Sequence, residues 1–147
     1  MIDIHSKGPY PADALSNFYP HSFIIDGVKC ASMEGFLQSL KFGDVDEQVR
    51  VCALSGGDAK DAGLEQDWKS SQILYWQGRV YQRNSDAYAN LITRAFDALT
   101  KNVAFQKALN DAGDEELGHS IGVDDMSDTV LTTDEFLSQL IRLRKNT

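Results

Sequence analysis

The side chains in this sequence with the most chemistry to offer fall in a few short stretches. Glu34, Gln38 and Lys41 recur at helical spacing, so one helix face would carry a carboxylate, an amide and an amine together. Lys60 follows the Gly56-Gly57 pair and stands between Asp58 and Asp61. Asn17 and Phe18 lie in a loop that ends at Pro20, Trp68 and Trp76 offer flat aromatic surfaces, and His119 leads into Ser120-Ile121-Gly122. A carboxylate can steady a developing cation, and an amine can attack a carbon or polarise a leaving group. An amide beside an aromatic ring can read and stack a base.

Each of these residues also has a plainer reading. A glutamate in the first turn of a helix is favoured there by about 0.3–1 kcal/mol and needs no other task. A Glu–Gln–Lys face is ordinarily solvated, and a lysine between aspartates is ordinarily an exposed ion pair. An asparagine in such a loop ordinarily closes a turn on its own backbone. Tryptophans mostly pack in cores, and a lone histidine is more often structural than catalytic.

Other chemistries lack their pattern. His5, His21 and His119 share no ligand spacing with Cys30 and Cys52, so no metal site is expected. Ser55-Gly56-Gly57 has no strand–loop–helix context for phosphate cradling. Neither a Ser-His-Asp nor a Cys-His arrangement is legible, and no cofactor is expected.

The elements that must position these residues are marked by turns and caps. Ser22 to Ile25 and Val28 to Cys30 flank Asp26-Gly27, a hairpin signal. Ser32 caps a helix whose Met33, Phe36, Leu37 and Leu40 form one apolar stripe. A second helix is expected from about Asp46 to Leu54, with Val49, Cys52 and Ala53 inward and Gly56-Gly57 as its stop. A short helix over 58–62 closes at Gly63, and strands at 73–76 and 80–81 flank Gln77-Gly78. Ser85 opens the longest helix, with Tyr88, Leu91, Ile92, Ala95, Phe96 and Leu99 in period. Asn102 caps another that buries Phe105, Ala108 and Leu109 and stops at Gly113. An extended piece follows at 117–121, and Thr133 caps a last helix carrying Phe136, Leu137, Leu140, Ile141 and Leu143. The expected class is α+β, a mostly helical single domain over 1–147 with a small hairpin sheet.

Bulk properties agree with one soluble domain. The chain has 147 residues, 42% hydrophobic and 24% charged, and contains no repeat or low-complexity linker. A formal net charge of −8 works against long-range attraction to a phosphate backbone, which argues against a general duplex binder but not against a local basic pocket. Lys29, Lys41, Lys60 and Lys69, the candidates for such a pocket, are scattered along the chain. Two cysteines without a signal peptide read as reduced thiols. No apolar run is long enough for a membrane span, so a cytoplasmic location is expected.

Several stretches together resemble the YbiA-like proteins, also called the NADAR family. They are Leu15-Ser16-Asn17-Phe18-Tyr19-Pro20, Ser32-x-Glu34-x-x-x-Gln38-x-x-Lys41-Phe42, and Asp58-Ala59-Lys60-Asp61-Ala62-Gly63. Trp68, and Ser120-Ile121-Gly122 after Phe105 and Leu109, extend the likeness over nearly the whole chain. The resemblance implies an N-glycosidase cleaving the ribose C1–N bond of a ribosylated nucleobase, without metal, on a small nucleotide or an ADP-ribosylated substrate, modified guanine in DNA included. A module that binds ADP-ribose without cleaving it is the alternative. In this reading Glu34 and Lys60 are catalytic, while Asn17, Phe18, Gln38, Lys41, Trp76, His119 and Gly122 contact substrate. Gly35-Phe36 in place of a His-aromatic pair, and Gly118-His119 in place of Trp-Gly, depart from the pattern and bear on substrate choice. The acidic balance places free nucleotides ahead of DNA adducts.

Overall fold

A computed structural model describes residues 1–145 as an α+β domain of six helices and three two-stranded sheets. The strands are β1 (Ile2–Asp3), β2 (Phe23–Ile25), β3 (Val28–Cys30), β4 (Ile73–Trp76), β5 (Arg79–Gln82) and β6 (Leu117–Gly118). The helices are α1 (Met33–Ser39), α2 (Val45–Cys52), α3 (Gly56–Gly63), α4 (Asp86–Leu99), α5 (Val103–Asp111) and α6 (Thr133–Lys145).

Local chemistry accounts for most of these boundaries. Asp26 and Gly27 turn β2 into β3 with φ of 50° and 78°, and Gln77 and Gly78 turn β4 into β5 with 49° and 84°. Both pairs of positive φ are what a two-residue hairpin requires. Ser32, Ser85 and Asn102 accept backbone N–H bonds at the starts of α1, α4 and α5, as expected from sequence. The last helix is capped one residue earlier than expected. Thr132 Oγ1 accepts from Glu135 N at 3.0 Å, and Thr132 N donates to Glu135 Oε1 at 2.7 Å, a reciprocal capping box.

Other expectations shift in phase. On α2 the inward residues are Gln48, Val51 and Cys52, while Val49 is exposed and so is Ala53 beyond the helix end. Gln48 is buried because its amide bonds Ser39 O at 3.1 Å and Tyr75 O at 2.7 Å, which ties α1 to β4 and sets the rotation of α2. Gly56-Gly57 opens α3 rather than merely ending α2. Ile141 of α6 stays exposed, and the extended piece after Gly113 shortens to β6, which pairs in parallel with β1. Cys30 and Cys52 are free, buried thiols. A hydrogen bond with the Cys52 thiol, together with burial, pushes the Cys30 thiol up.

The core centres on Phe36, fully buried in α1, with its ring edge-on to Trp76 at 4.9 Å and to Phe23 at 6.2 Å. Such pairs add about 0.5–1.5 kcal/mol beyond simple burial. Farther out, Arg83 is held under the segment 126–132 by Glu135 at 2.6 Å, by Thr129 O at 2.8 Å, and by the face of Tyr88 at 5.0 Å. Among the described residues no helix is long and apolar enough to cross a membrane.

Gly35 decides how closely α1 and α2 approach. A Cβ there would lie 3.0 Å from Cys52 O and 3.1 Å from Val51 O, and would overlap Leu54 O. Those are backbone atoms that cannot swing aside. Gly35→Ala is therefore expected to lose about 2 kcal/mol or more in urea denaturation, the scale of overpacking. Gly57→Ala, with nothing within 4 Å of the added carbon, should be neutral or gain up to about 1 kcal/mol.

Candidate functional site

Three elements converge on the start of α1. The loop before β2 docks there through Glu34 N, which donates to Asn17 O at 3.0 Å. Ser16, not Asn17, closes the local turn, with Phe18 N donating to Ser16 Oγ at 3.2 Å. That leaves the Asn17 side chain free of protein partners among the described residues. From the other side α3 packs against α1 through Gly63, where a Cβ would overlap Gln38 Oε1 and lie 3.3 Å from Lys41 Cδ.

The result is a cavity of about 700 Å³, within the usual range for small-molecule sites. Asn17, Phe18, Glu34, Gln38, Lys41, Lys60, His119 and Gly122 all line it. The Glu–Gln–Lys face, ordinarily solvated, is turned inward here. Trp76 is the exception among the residues expected at the site. Alternation along β4 sends Leu74 and Trp76 into the core, and the indole N–H finds Asp26 Oδ2 at 2.8 Å. With that partner and Phe36 against its ring, Trp76 cannot stack on a ligand in the cavity. Trp68 lines the wall instead, though it is almost wholly buried. Lys69, one of the basic residues scattered along the sequence, also lines the cavity.

Electrostatics single out Glu34. Burial pushes its carboxyl above the ordinary glutamate value, opposed by the bond from Gln38 and by the positive charges of Lys41 and Lys60. Gln38 Nε2 donates to Glu34 Oε1 at 2.8 Å, so one carboxylate oxygen is fixed and the other has no protein partner among the described residues. Gln38 Oε1 is itself buried without a donor. Burial also pushes Lys41 below the ordinary lysine range, with Glu34 pulling it up and Lys69 pushing it further down. Lys60 is exposed at the rim.

His119 comes from the end of β6. Its Nδ1 lies 2.7 Å from Ile4 O, an atom that can only accept, so Nδ1 carries the proton. The ring stands edge-on to Phe136 at 5.1 Å. Gly122 leaves no room for a side chain, because a Cβ there would overlap Thr133 Oγ1. Among the described residues no group of three or more His, Cys, Asp or Glu side chains is placed to hold a metal ion.

Comparison with known proteins decides the family. The family described as "Bacteriophage protein GP30.3" matches residues 9–145. The chain belongs to that bacteriophage GP30.3 family. It is 37% identical over 146 residues to the "Uncharacterized 17.1 kDa protein in Gp30-rIII intergenic region" of Enterobacteria phage T4, covering 97% of this chain and 96% of the relative. No solved structure matches. The GP30.3 match overturns the YbiA-like, or NADAR, membership expected from sequence. That expectation rested on single letters along helix faces and loops, and a Glu–Gln–Lys spacing is common to many amphipathic helices.

The raised carboxyl of Glu34 has a consequence for stability. A folded state that holds its proton more tightly than the unfolded chain loses stability as pH rises through the window between the two values, and stays at that lower level above it. Glu34→Gln should therefore melt higher than the parent near neutral pH, by a few degrees if the gain is about 1 kcal/mol. The difference should vanish near roughly pH 3.5, where the parent carboxyl is protonated in both states. Thermal melts across that range check the sign.

Proposed function

We propose that this cavity binds a ribosylated nucleobase and that the chain hydrolyses its ribose C1–N bond. The observation that carries this is the buried Glu34 carboxylate, one oxygen fixed by Gln38 and the other open to the cavity, with Lys41 and Lys60 close enough to act on it.

Breaking an N-glycosidic bond builds positive charge on the sugar ring, as in other glycoside chemistry. A carboxylate already in place and shielded from water stabilises that charge without reorganising, commonly the largest contribution a site makes. Glu34 supplies it. Gln38, by donating to one Glu34 oxygen, leaves the other to face the ribose. Lys60 on the rim would donate to the departing base nitrogen, which takes the electron pair of the broken bond. Water gives its hydroxyl to C1, and its proton replaces the one that Lys60 gave to the base. Phe18, half-buried on the cavity wall, would stack on that base.

A second reading, capture of such a nucleotide without cleavage, is favoured by the exposure of Lys60, since a solvated amine polarises a leaving group poorly. The net charge of −8 keeps free nucleotides ahead of DNA adducts as the ligand in either case.

Release of free base from a panel of ribosylated bases, followed chromatographically, separates the two. Glu34→Gln should lower turnover about 10²–10³-fold, the scale of removing one preorganised charge-stabilising group, with its circular dichroism unchanged. Lys60→Gln should lower it about tenfold, toward the low end of what a positioned proton donor supplies. Full turnover by the Glu34 variant would refute the catalytic role. Ligand stabilisation with no released base from the parent protein would establish the binding reading.

A further inference from the structure

A second groove, of about 830 Å³, runs between the β2–β3 hairpin and the corner where α4 gives way to α5. It shares no residue with the Glu34 cavity. The register of the hairpin decides what β2 presents there. Ile25 faces Val28 across a two-residue turn, so those two exchange both backbone bonds. In an antiparallel ladder the next pair, Ile24 and Lys29, then exchanges none. The N–H and C=O of Ile24 therefore point away from β3, toward the edge on which Asn102 Nδ2 donates to Ser22 O at 2.9 Å. Neither group has a protein partner among the described residues. That edge also lacks the usual guards against strand pairing, since β2 carries no charge and no proline.

The side chains around the edge are equally uncovered. Ile24 is 59% accessible and Val103 is 78% accessible, the latter in the first turn of α5, where a β-branched residue adds nothing to the helix. Lys29 and Lys101 line the same groove, both exposed and without an ion pair among the described residues. No carboxylate lines it, in a chain with 22 acidic residues. The two nearest in sequence are engaged elsewhere: Asp26 holds Arg94 and the Trp76 indole, and Asp97 holds Arg142.

We propose that this groove docks an extended acidic peptide of a partner protein, which adds as a strand to the edge of β2. Its backbone pairs with the N–H and C=O of Ile24, an apolar side chain covers Ile24 and Val103, and its carboxylates meet Lys29 and Lys101. Such strand addition takes affinity from the main chain and selectivity from the side chains beside it, and complementary charge sets the partner. A second copy fits less well. Two β2 edges side by side would bring the lysines of both copies together, with a net charge of −8 on each. Single-stranded nucleic acid lacks a stacking platform here, because the ring of Phe23 is buried.

Calorimetric titration of the full chain with an acetylated Glu-Asp-Val-Asp-Glu amide tests this, beside a Lys-Lys-Val-Lys-Lys counterpart and an oligothymidylate. The acidic peptide should bind at least about tenfold more tightly than either. Lys29→Glu combined with Lys101→Glu should lose at least about tenfold. Lys69→Glu, on the wall of the other cavity, should stay within about twofold of the parent. Bound peptide should slow hydrogen exchange at the Ile24 amide at least about tenfold. Absence of binding by the acidic peptide, equal binding of the basic one, tighter binding of the oligothymidylate, an equal loss in the Lys69 variant, or unchanged exchange at Ile24 would each overturn the proposal. So would a dimer in sedimentation that Lys101→Glu abolishes, which would give the groove to a second copy.

Discussion

Everything at this site depends on how closely α2 and α3 approach α1. Gly35 lets the carbonyls at the end of α2 close against one side of the helix, and Gly63 lets α3 close against Gln38 and Lys41 on another. With the Asn17 loop docked on Glu34 N, α1 is wedged among neighbours along nearly its whole length. A face that would otherwise meet water is thereby turned into a wall. A side chain on either glycine would push the helices apart, and the Glu–Gln–Lys row would return to solvent, where its charges would be screened and unremarkable.

Holding those groups out of water costs stability. Glu34 is pushed toward its neutral form, Lys41 toward its own, and Gln38 leaves an acceptor unfilled. None of this helps the fold, and local rules broken without local gain are characteristic of sites shaped by a ligand. The rest of the domain offsets the loss through ordinary means. Phe36 packs against Phe23 and Trp76, and the buried Arg83 bonds half-buried Glu135 through both of its terminal nitrogens. The Arg83 contacts matter to the site as well, since Thr129, which they hold, belongs to a segment that closes one side of the cavity. The pair β1–β6 does the same for His119, pinning the residues around it to the opening strand through Asp3 and Ile4.

Much of the fold was legible because its signals are local. Asp26-Gly27 and Gln77-Gly78 specify their hairpins, and Ser32, Ser85 and Asn102 specify helix starts. What was not legible depends on partners far away in sequence. The two-residue strand at Ile2 has no pattern of its own, and its parallel pairing with the extended piece at Leu117 cannot be read from either stretch. The phase of α2 follows from Gln48 reaching Tyr75, which no periodicity reveals. Trp76 reads equally well as core or platform until Asp26 is seen beside its indole. Lys41, Lys60 and Lys69 are scattered as letters and gathered as side chains. The family expectation failed for a related reason: short motifs on amphipathic helices are cheap to match, whereas the GP30.3 likeness extends across residues 9–145.

The claim beneath this account is that Glu34 is a buried carboxyl whose charge is held up mainly by Gln38, Lys41 and Lys60. Carbon-detected NMR titration of the glutamate side-chain carboxyls reads it directly. The account predicts that the Glu34 resonance titrates above the ordinary glutamate value of 4.5, and moves higher still in a Lys41→Gln, Lys60→Gln double variant. A carboxyl titrating at or below that value, and indifferent to both lysines, would mean that Glu34 sits in water and that the wall described here does not exist.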